Sequence, residues 1–282
     1  MDAYQEDGSH ITKFHIWEPI GWQGVVAIMN ALRTVVYPHT RSIRLWKTAC
    51  EDEGVRAVCL YIAQCYSVFF LDLLDNNITK LGCQFLGKVL APETKSNLIN
   101  VKLDHNPFGS EGVKYLAEGL CMNKNITHLS MQYCSIDEKG ARPLFEILIY
   151  KESALEELLL GGNHLRDEGV ILVLKGASVA QKNLRYLSLA DNQFLESIEV
   201  MEAVNNCMLK NQGLGKYDFR YNFTADTFVE NLCKTMETAT HVYDVQIDER
   251  IAKETLEMFN EKKNANKPKK GKKGKGGKKK KK

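Results

Sequence analysis

With 282 residues, 44% of them hydrophobic, the chain has material for one large core or two small ones. No run of about 18 apolar residues is present, which excludes a membrane-spanning helix, and the acidic start Met-Asp-Ala-Tyr-Gln-Glu-Asp does not read as a secretory signal. The net charge of +3 conceals two materials: Lys267 to Lys282 holds eleven lysines and no acid, which leaves about −8 on everything before it.

Eight cysteines (Cys50, Cys59, Cys65, Cys83, Cys121, Cys134, Cys207 and Cys233) form no C-x-x-C pair. They read as free buried thiols in a reducing, cytoplasmic setting. The sequons at Asn77, Asn125 and Asn222 are then chance matches.

Along the chain, residues 1–10 are a short flank, and then one phrase recurs: apolar, two variable, apolar, variable, apolar, two variable, small polar. It opens with the frame Ile11, Phe14, Ile16, followed by a helical stretch from Gly21 to Leu32 that, with Trp22, is expected to cover one end. Weaker copies end at Thr48 and Asn76; Leu98, Val101, Leu103 and Asn106 make a clean one. Further copies end at Cys134, Asn163, Asn192 and Asn222, and the last frame is Val242, Val245, Ile247. Ile251 to Phe259 reads as a closing helix anchored by Ile251, Leu256 and Phe259. Successive phrases end 28 to 30 residues apart, a regularity only a repeated structural unit imposes. Gly54, Gly82, Gly112, Gly140 and Gly169 each fall six residues after the polar position, where they would allow neighbouring helices to approach closely. Ile198 and Phe228 break that pattern, which predicts an altered or longer turn around Phe194 to Glu199.

L-x-x-L-x-L-x-x-N followed by G-x-x-x-L at this period resembles the ribonuclease-inhibitor-like leucine-rich repeats, over roughly residues 11–250. The resemblance implies an α/β solenoid, a horseshoe of about nine strand–turn–helix units with a parallel concave sheet and helices on the convex side. The alternation Leu158, Leu160 and the helical spacing of Val113, Leu116 and Leu120 require the same elements without the name. Acidic residues at the helix starts (Asp52, Glu53, Glu111, Asp137, Glu138, Asp167, Glu168) suit the helix dipole. The small polar residues Thr48, Asn76, Asn106, Cys134, Asn163, Asn192 and Asn222 are expected to form a buried ladder that satisfies backbone groups. The repeat domain with its caps spans residues 11–260, and 261–282 reads as a disordered lysine/glycine tail.

The variable positions between the leucines point out of the inner sheet, where this family usually binds partners. Trp17, Trp46 and Leu74 share one column in three consecutive repeats, with Phe70 beside them and Lys13 and Arg44 near. Aromatic anchors supported by arginine have the composition of a binding hot spot. Trp17 and Trp46 read either as part of that patch or as a fold-over cap. Lys102 and Tyr186 extend the candidate face, and Gly161 and Ala190 flatten its C-terminal half. In the tail, Lys269, Lys270, Lys272, Lys273, Lys278, Lys279 and Lys280 offer point charges to acidic surfaces such as tubulin tails or, without sequence specificity, nucleic acid.

Neither a P-loop, an H-E-x-x-H nor a G-x-S-x-G motif is present, and the seven histidines have no metal-like spacing. The reading is a non-catalytic scaffold or adaptor without a cofactor, holding a protein on its concave face as a subunit of a larger assembly. A cytoskeletal, ciliary or axonemal setting is the leading specific expectation, because leucine-rich-repeat proteins of those assemblies share the repeat type. Alternatives are a GTPase-activating protein like that for Ran, though that family's tail is acidic, or an RNA- or ribosome-associated factor, which would suit the nucleus as well.

Overall fold

The computed structural model describes residues 10–268. Nine short strands lie in one parallel sheet in chain order: β1 (Lys13–Ile16), β2 (Ser42–Leu45), β3 (Phe70–Asp72), β4 (Asn100–Lys102), β5 (His128–Ser130), β6 (Glu157–Leu159), β7 (Tyr186–Ser188), β8 (Lys216–Asp218) and β9 (Asp244–Gln246). Each is followed by a helix: α1 (Gly21–Thr34), α2 (Glu51–Ile62), α3 (Lys80–Leu90), α4 (Gly109–Leu120), α5 (Ala141–Leu148), α6 (Arg166–Val179), α7 (Ile198–Lys210), α8 (Asp226–Thr238) and α9 (Lys253–Asn266). The fold is an α/β solenoid. Its register is set by the repeat: Ser42 pairs with Phe70, Phe70 with Asn100, and Asn100 with His128, each one period on.

Between sheet and helices runs one continuous core. Ile43, Leu71, Val101, Leu129, Leu158, Leu187, Tyr217 and Val245 stack along it, fully or almost fully buried. A three-residue strand and a helix of about three turns cannot enclose such a row alone, so each unit is stable only against its neighbours.

The expected polar ladder is present and buried. Asn76 Oδ1 accepts from Thr48 N (3.0 Å), Thr48 Oγ1 (2.8 Å) and Cys50 N (3.1 Å), while its Nδ2 donates to the carbonyls of Leu45 and Leu74. Asn106 repeats this one unit on, accepting from Asn76 N and Ile78 N and donating to the Leu73 and Leu103 carbonyls. Asn163 does so for Cys134 N and Ile136 N. Cys134 donates through its thiol to the Leu103 and Gln132 carbonyls but is only a weak acceptor. Asn192 and Asn222 complete the series, Asn222 Oδ1 accepting from Asn192 N at 2.8 Å. The residue before each ladder position is in the left-handed region: Lys47, Asp75, His105, Tyr133, Gly162, Asp191 and Tyr221 all have φ between 49° and 70°. That twist turns the chain from the strand while leaving the amide aimed inward.

A second set of asparagines, not anticipated, ties the other edge. Asn97, Asn125 and Asn183, each just before the first leucine or isoleucine of its phrase, donate through Nδ2 to the carbonyls of Tyr66, Ser96 and Ser153 in the preceding unit. Two of the sequon asparagines are therefore structural, Asn125 here and Asn222 in the ladder.

Three expectations need correction. The glycines six residues past the ladder serve the turn as well as the helix interface: a Cβ on Gly54, Gly112 or Gly140 would strike the side chain four residues earlier, Cys50, Phe108 or Ile136, while one on Gly82 or Gly169 would also meet Asp52 or the Glu138 backbone of the unit before. The closest backbone approach between helices is at Gly87 and Gly119, where a Cβ would lie 2.2 Å from the Tyr115 carbonyl oxygen and 2.1 Å from that of Gly87. The acidic residues do sit in the first turns of α2, α4 and α6 as expected, and some of them also act on the next unit. Asp52 accepts from Thr79 N and Gly82 N at the start of α3, Asp167 from Leu195 N, and Asp226 from Ala252 N. Trp22, 36% exposed, covers the end only in part, while α1 buries Val25, Met29 and Leu32. The closing helix runs past residue 260 to Asn266, whose Nδ2 donates to the Met236 and Val242 carbonyls, so the boundary expected at 261 falls inside an element. The turn after Asn192 is the long one: Ser197 caps α7, which starts six residues past Asn192 against three past Asn163, and Ile198 is 67% exposed.

Asn106→Ala strips five backbone groups of a side-chain partner and should lower the free energy of unfolding by about 3 kcal/mol. The exposed Asn206→Ala should stay within about 0.5 kcal/mol in the same urea titration. Asp137 is held below the ordinary carboxylate range chiefly by the Ser110 hydroxyl, and Asp226 by Thr255 and then the Ala252 N–H. Their contribution is present above the unfolded carboxylate pKa and is lost as pH falls through the lower folded value. The denaturation midpoint of the wild type should thus exceed that of Asp137→Asn, Asp226→Asn at neutral pH, and the gap should close as pH drops below about 4.

Candidate functional site

The side of the sheet away from the helices carries the outward columns, and its β1–β4 end concentrates the large side chains. Trp17 is 63% exposed and tilts against Trp46, ring centroids 6.5 Å apart. Neither indole is buried as a cap would be. Arg44, between them and Phe70, stacks its guanidinium 4.5 Å from the Phe70 ring and 5.7 Å from that of Trp46. Lys102 Nζ lies 5.9 Å from the other neighbour of this set, again over Phe70. Each such contact is worth about 0.5–1 kcal/mol at a partly exposed site. Lys13 is exposed on β1, one strand from Ser42, and Leu74 is half-buried at the far end of the column.

Charge is managed within the patch. Burial pushes the Asp72 carboxyl up from its ordinary value, opposed first by the nearby Trp46 indole N–H and then by Lys102, the Leu74 N–H and Arg44. Burial and then the charges of Arg44 and Lys13 hold His15 below its ordinary value, so it is neutral at pH 7. Its Nε2 lies 3.0 Å from Ser42 Oγ. Arg44 Nε and Asn100 Oδ1 are buried without a partner at hydrogen-bond distance. One donor and one acceptor are thus left unmet in one place. A small cleft of about 80 Å3 continues onto β5 and β6, lined by Asn100, Lys102, His128 and Glu157, with His128 Nε2 3.8 Å from Glu157 Oε2.

Tyr186 does not join this group. It stands three strands on, near a buried Asp218 that Arg220 grips with two bonds of 2.9 and 2.7 Å. Burial and then Asp218 raise its phenol pKa. Asp72, Asn100, Asp218 and Arg220 also fall in the outward columns that the sequence defines, but were not among the residues expected to bind. The lysines Lys269 to Lys280 lie outside the described residues.

Nothing here resembles a catalytic constellation. Burial pushes the thiols of Cys50, Cys134 and Cys207 up to about 12, where no nucleophilic thiolate exists at neutral pH. Among the described residues no cluster of histidine, cysteine or acidic side chains could hold a metal ion, and no helix is long and apolar enough to cross a membrane.

Comparison with known proteins fits this architecture. A family model described as a leucine-rich repeat matches residues 123–145. The chain is 29% identical over 195 residues to NACHT, LRR and PYD domains-containing protein 14 of Mus musculus, covering 68% of this chain and 18% of that protein. It is 31% identical over 120 residues to the ribonuclease inhibitor of Mus musculus, covering 42% of this chain and 26% of that protein. With the ribonuclease inhibitor of Sus scrofa the figures are 26% over 216 residues, 76% of this chain and 44% of that protein. The chain therefore spans less than half the length of each of these relatives. Among solved structures, the tropomodulin C-terminal domain of Caenorhabditis elegans matches with a TM-score of 0.42 and 16% identity, over 65% of this chain and 92% of that one. With nine stacked strand–helix units among the described residues and a buried asparagine ladder, the chain is built of leucine-rich repeats similar to those of the ribonuclease inhibitors.

Proposed function

We propose that the chain is a non-catalytic scaffold that holds a partner protein on the open, concave face of its sheet, through the β1–β4 patch. The observation that carries this reading is the Arg44 guanidinium stacked between Phe70 and Trp46 with Arg44 Nε buried and unmet. The ring contacts return only about 0.5–1 kcal/mol each to the fold. These side chains face away from the core, and a buried polar group without a partner costs about 1–3 kcal/mol. A partner that lays an acceptor such as a backbone carbonyl or carboxylate across the Arg44 guanidinium would recover that energy. Trp17, Leu74, Lys13 and Lys102 would border the contact, and Tyr186 with Arg220 would form a separate, weaker one.

The larger setting is part of the same proposal. Eleven lysines after residue 266, trailing a body of about −8, suit retention on an acidic polymer surface, and the acidic tails of tubulin are the surface we favour. The chain is then a cytoplasmic subunit of a cytoskeletal assembly, with the cilium or axoneme as its specific location.

Affinity purification of the intact protein beside Trp46→Ala, Phe70→Ala tests the concave face. Both substitutions lie off the core and should cost the fold no more than the ring contacts they remove, about 0.5–1 kcal/mol each, while partner affinity should fall by about 30-fold or more. Equal recovery of the same proteins by both forms would sink the reading. For the tail, co-sedimentation with microtubules should fall steeply as salt rises and disappear when the acidic tubulin tails are removed by limited proteolysis. Binding that ignores both treatments contradicts the electrostatic role.

A further inference from the structure

The opposite edge of the first repeats, where helices end and strands begin, holds a cavity of about 410 Å3. It opens between the α1–β2 and α2–β3 connections. Its walls are largely apolar or aromatic, among them Val36, Tyr66 and Phe69, yet two guanidinium groups, Arg33 and Arg41, line it with no carboxylate. Their contacts are long and neutral. Arg33 Nε donates to Gln64 Oε1 at 3.4 Å and Nη1 to Asn30 Oδ1 at 3.3 Å. Arg41 Nη1 donates to the Ser67 carbonyl at 3.4 Å and the group sits 5.6 Å from the Phe69 ring. Neither arginine joins an ion pair among the described residues. On a body of about −8, two cations thus line one pocket that contains no acid.

The apolar wall is equally unexplained by folding. Val36 is 65% exposed with φ 45°, a left-handed conformation that is costly for a β-branched residue and brings it no burial. Tyr66 is 51% exposed and Phe69 37%. The apolar row leaves the cavity along the edge: Ile99, 41% exposed, adjoins Phe69, to whose carbonyl its N–H donates at 2.9 Å. A compact small molecule would not use that extension; an extended chain would.

We infer that this edge pocket binds an acidic, aromatic-containing peptide segment of a partner protein. One carboxylate side chain pairs with Arg33 and Arg41, which present planar donor forks suited to it. A neighbouring aromatic side chain enters between Tyr66, Phe69 and Val36, and the segment continues toward Ile99. The site is separate from the concave patch and does not depend on it.

Calorimetric titration of the full chain at about 0.15 M salt with three synthetic peptides decides the matter. The probes are Gly-Ser-Glu-Asp-Phe-Glu-Leu-Ser-Gly, the same peptide with alanine for phenylalanine, and the same peptide with lysine for each acid. The first should bind saturably at one site. Arg33→Ala, Arg41→Ala should weaken it at least ~10-fold, as should loss of the phenylalanine, and the lysine version should not bind. Trp46→Ala, Phe70→Ala should bind it as the wild type does, which separates this pocket from the concave face. Equal binding of the phenylalanine and alanine peptides would mean capture by the lysine tail and overturns the inference, as does full affinity of the double-arginine variant or no saturable binding at all. Binding that appears only in Asp2→Asn, Glu6→Gln, Asp7→Asn would assign the pocket to the chain's own first residues and overturns a partner there too.

Discussion

One constraint governs this molecule: the turn that carries each strand into its helix is buried, and its peptide groups cannot reach water. A side-chain amide is the smallest group that both accepts and donates in two directions at once, and asparagine supplies it at Asn76, Asn106, Asn163, Asn192 and Asn222. Each amide accepts from the unit before it and donates to carbonyls on both sides. The bonds therefore belong to pairs of units, never to one. Thr48, at the start of the row, needs only to donate, and a hydroxyl suffices. Cys134 marks the weakest link, because a thiol returns little as an acceptor.

Two further devices couple the same neighbours. The carboxylates at the helix starts reach forward, so that Asp52, Asp167 and Asp226 each fix the turn or helix start of the following unit. Glu196 does the same for Ala225 and Phe228, and it lies in the long turn where the glycine pattern fails. On the other edge, Asn97, Asn125 and Asn183 reach backward to carbonyls of the unit before. With ties at both edges of the sheet and a shared core between, local opening of one repeat exposes polar groups of two others. The solenoid then behaves as a stiff platform, and stiffness is what lets side chains on its open face be held unpaired.

The register of the sheet and the ladder were legible in the sequence because a period of 28 to 30 residues leaves no other way to align nine phrases. The outward columns followed directly, and Trp17, Arg44, Trp46, Phe70 and Lys102 do lie together. What stayed hidden depended on contacts between units rather than on position within one. The glycine after each ladder residue looked like a helix-packing device, yet it also makes room for a side chain of its own turn, while Gly87 and Gly119, outside the repeat pattern, carry the closest backbone contact. Asn97, Asn125 and Asn183 could have been found, since each precedes the first apolar residue of its phrase. The pocket at Arg33 and Arg41 could not, because its parts come from two connections that the repeat leaves free.

The placement of the unpaired groups follows from the same architecture. Several cations of the later units are held by acids, as Arg166 is by Glu138 and Lys262 by Glu237. At the N-terminal end Arg33, Arg41 and Arg44 lean on aromatic rings and amides instead. A guanidinium on a ring keeps its edge donors free, whereas one held by two carboxylate bonds, as Arg220 is by Asp218, has spent them. Three guanidinium groups without an ion pair among the described residues thus lie near one end, on both the open face and the edge beside it. An acidic partner approaching that end meets a surface already shaped and only partly solvated, which is where charged contacts gain most.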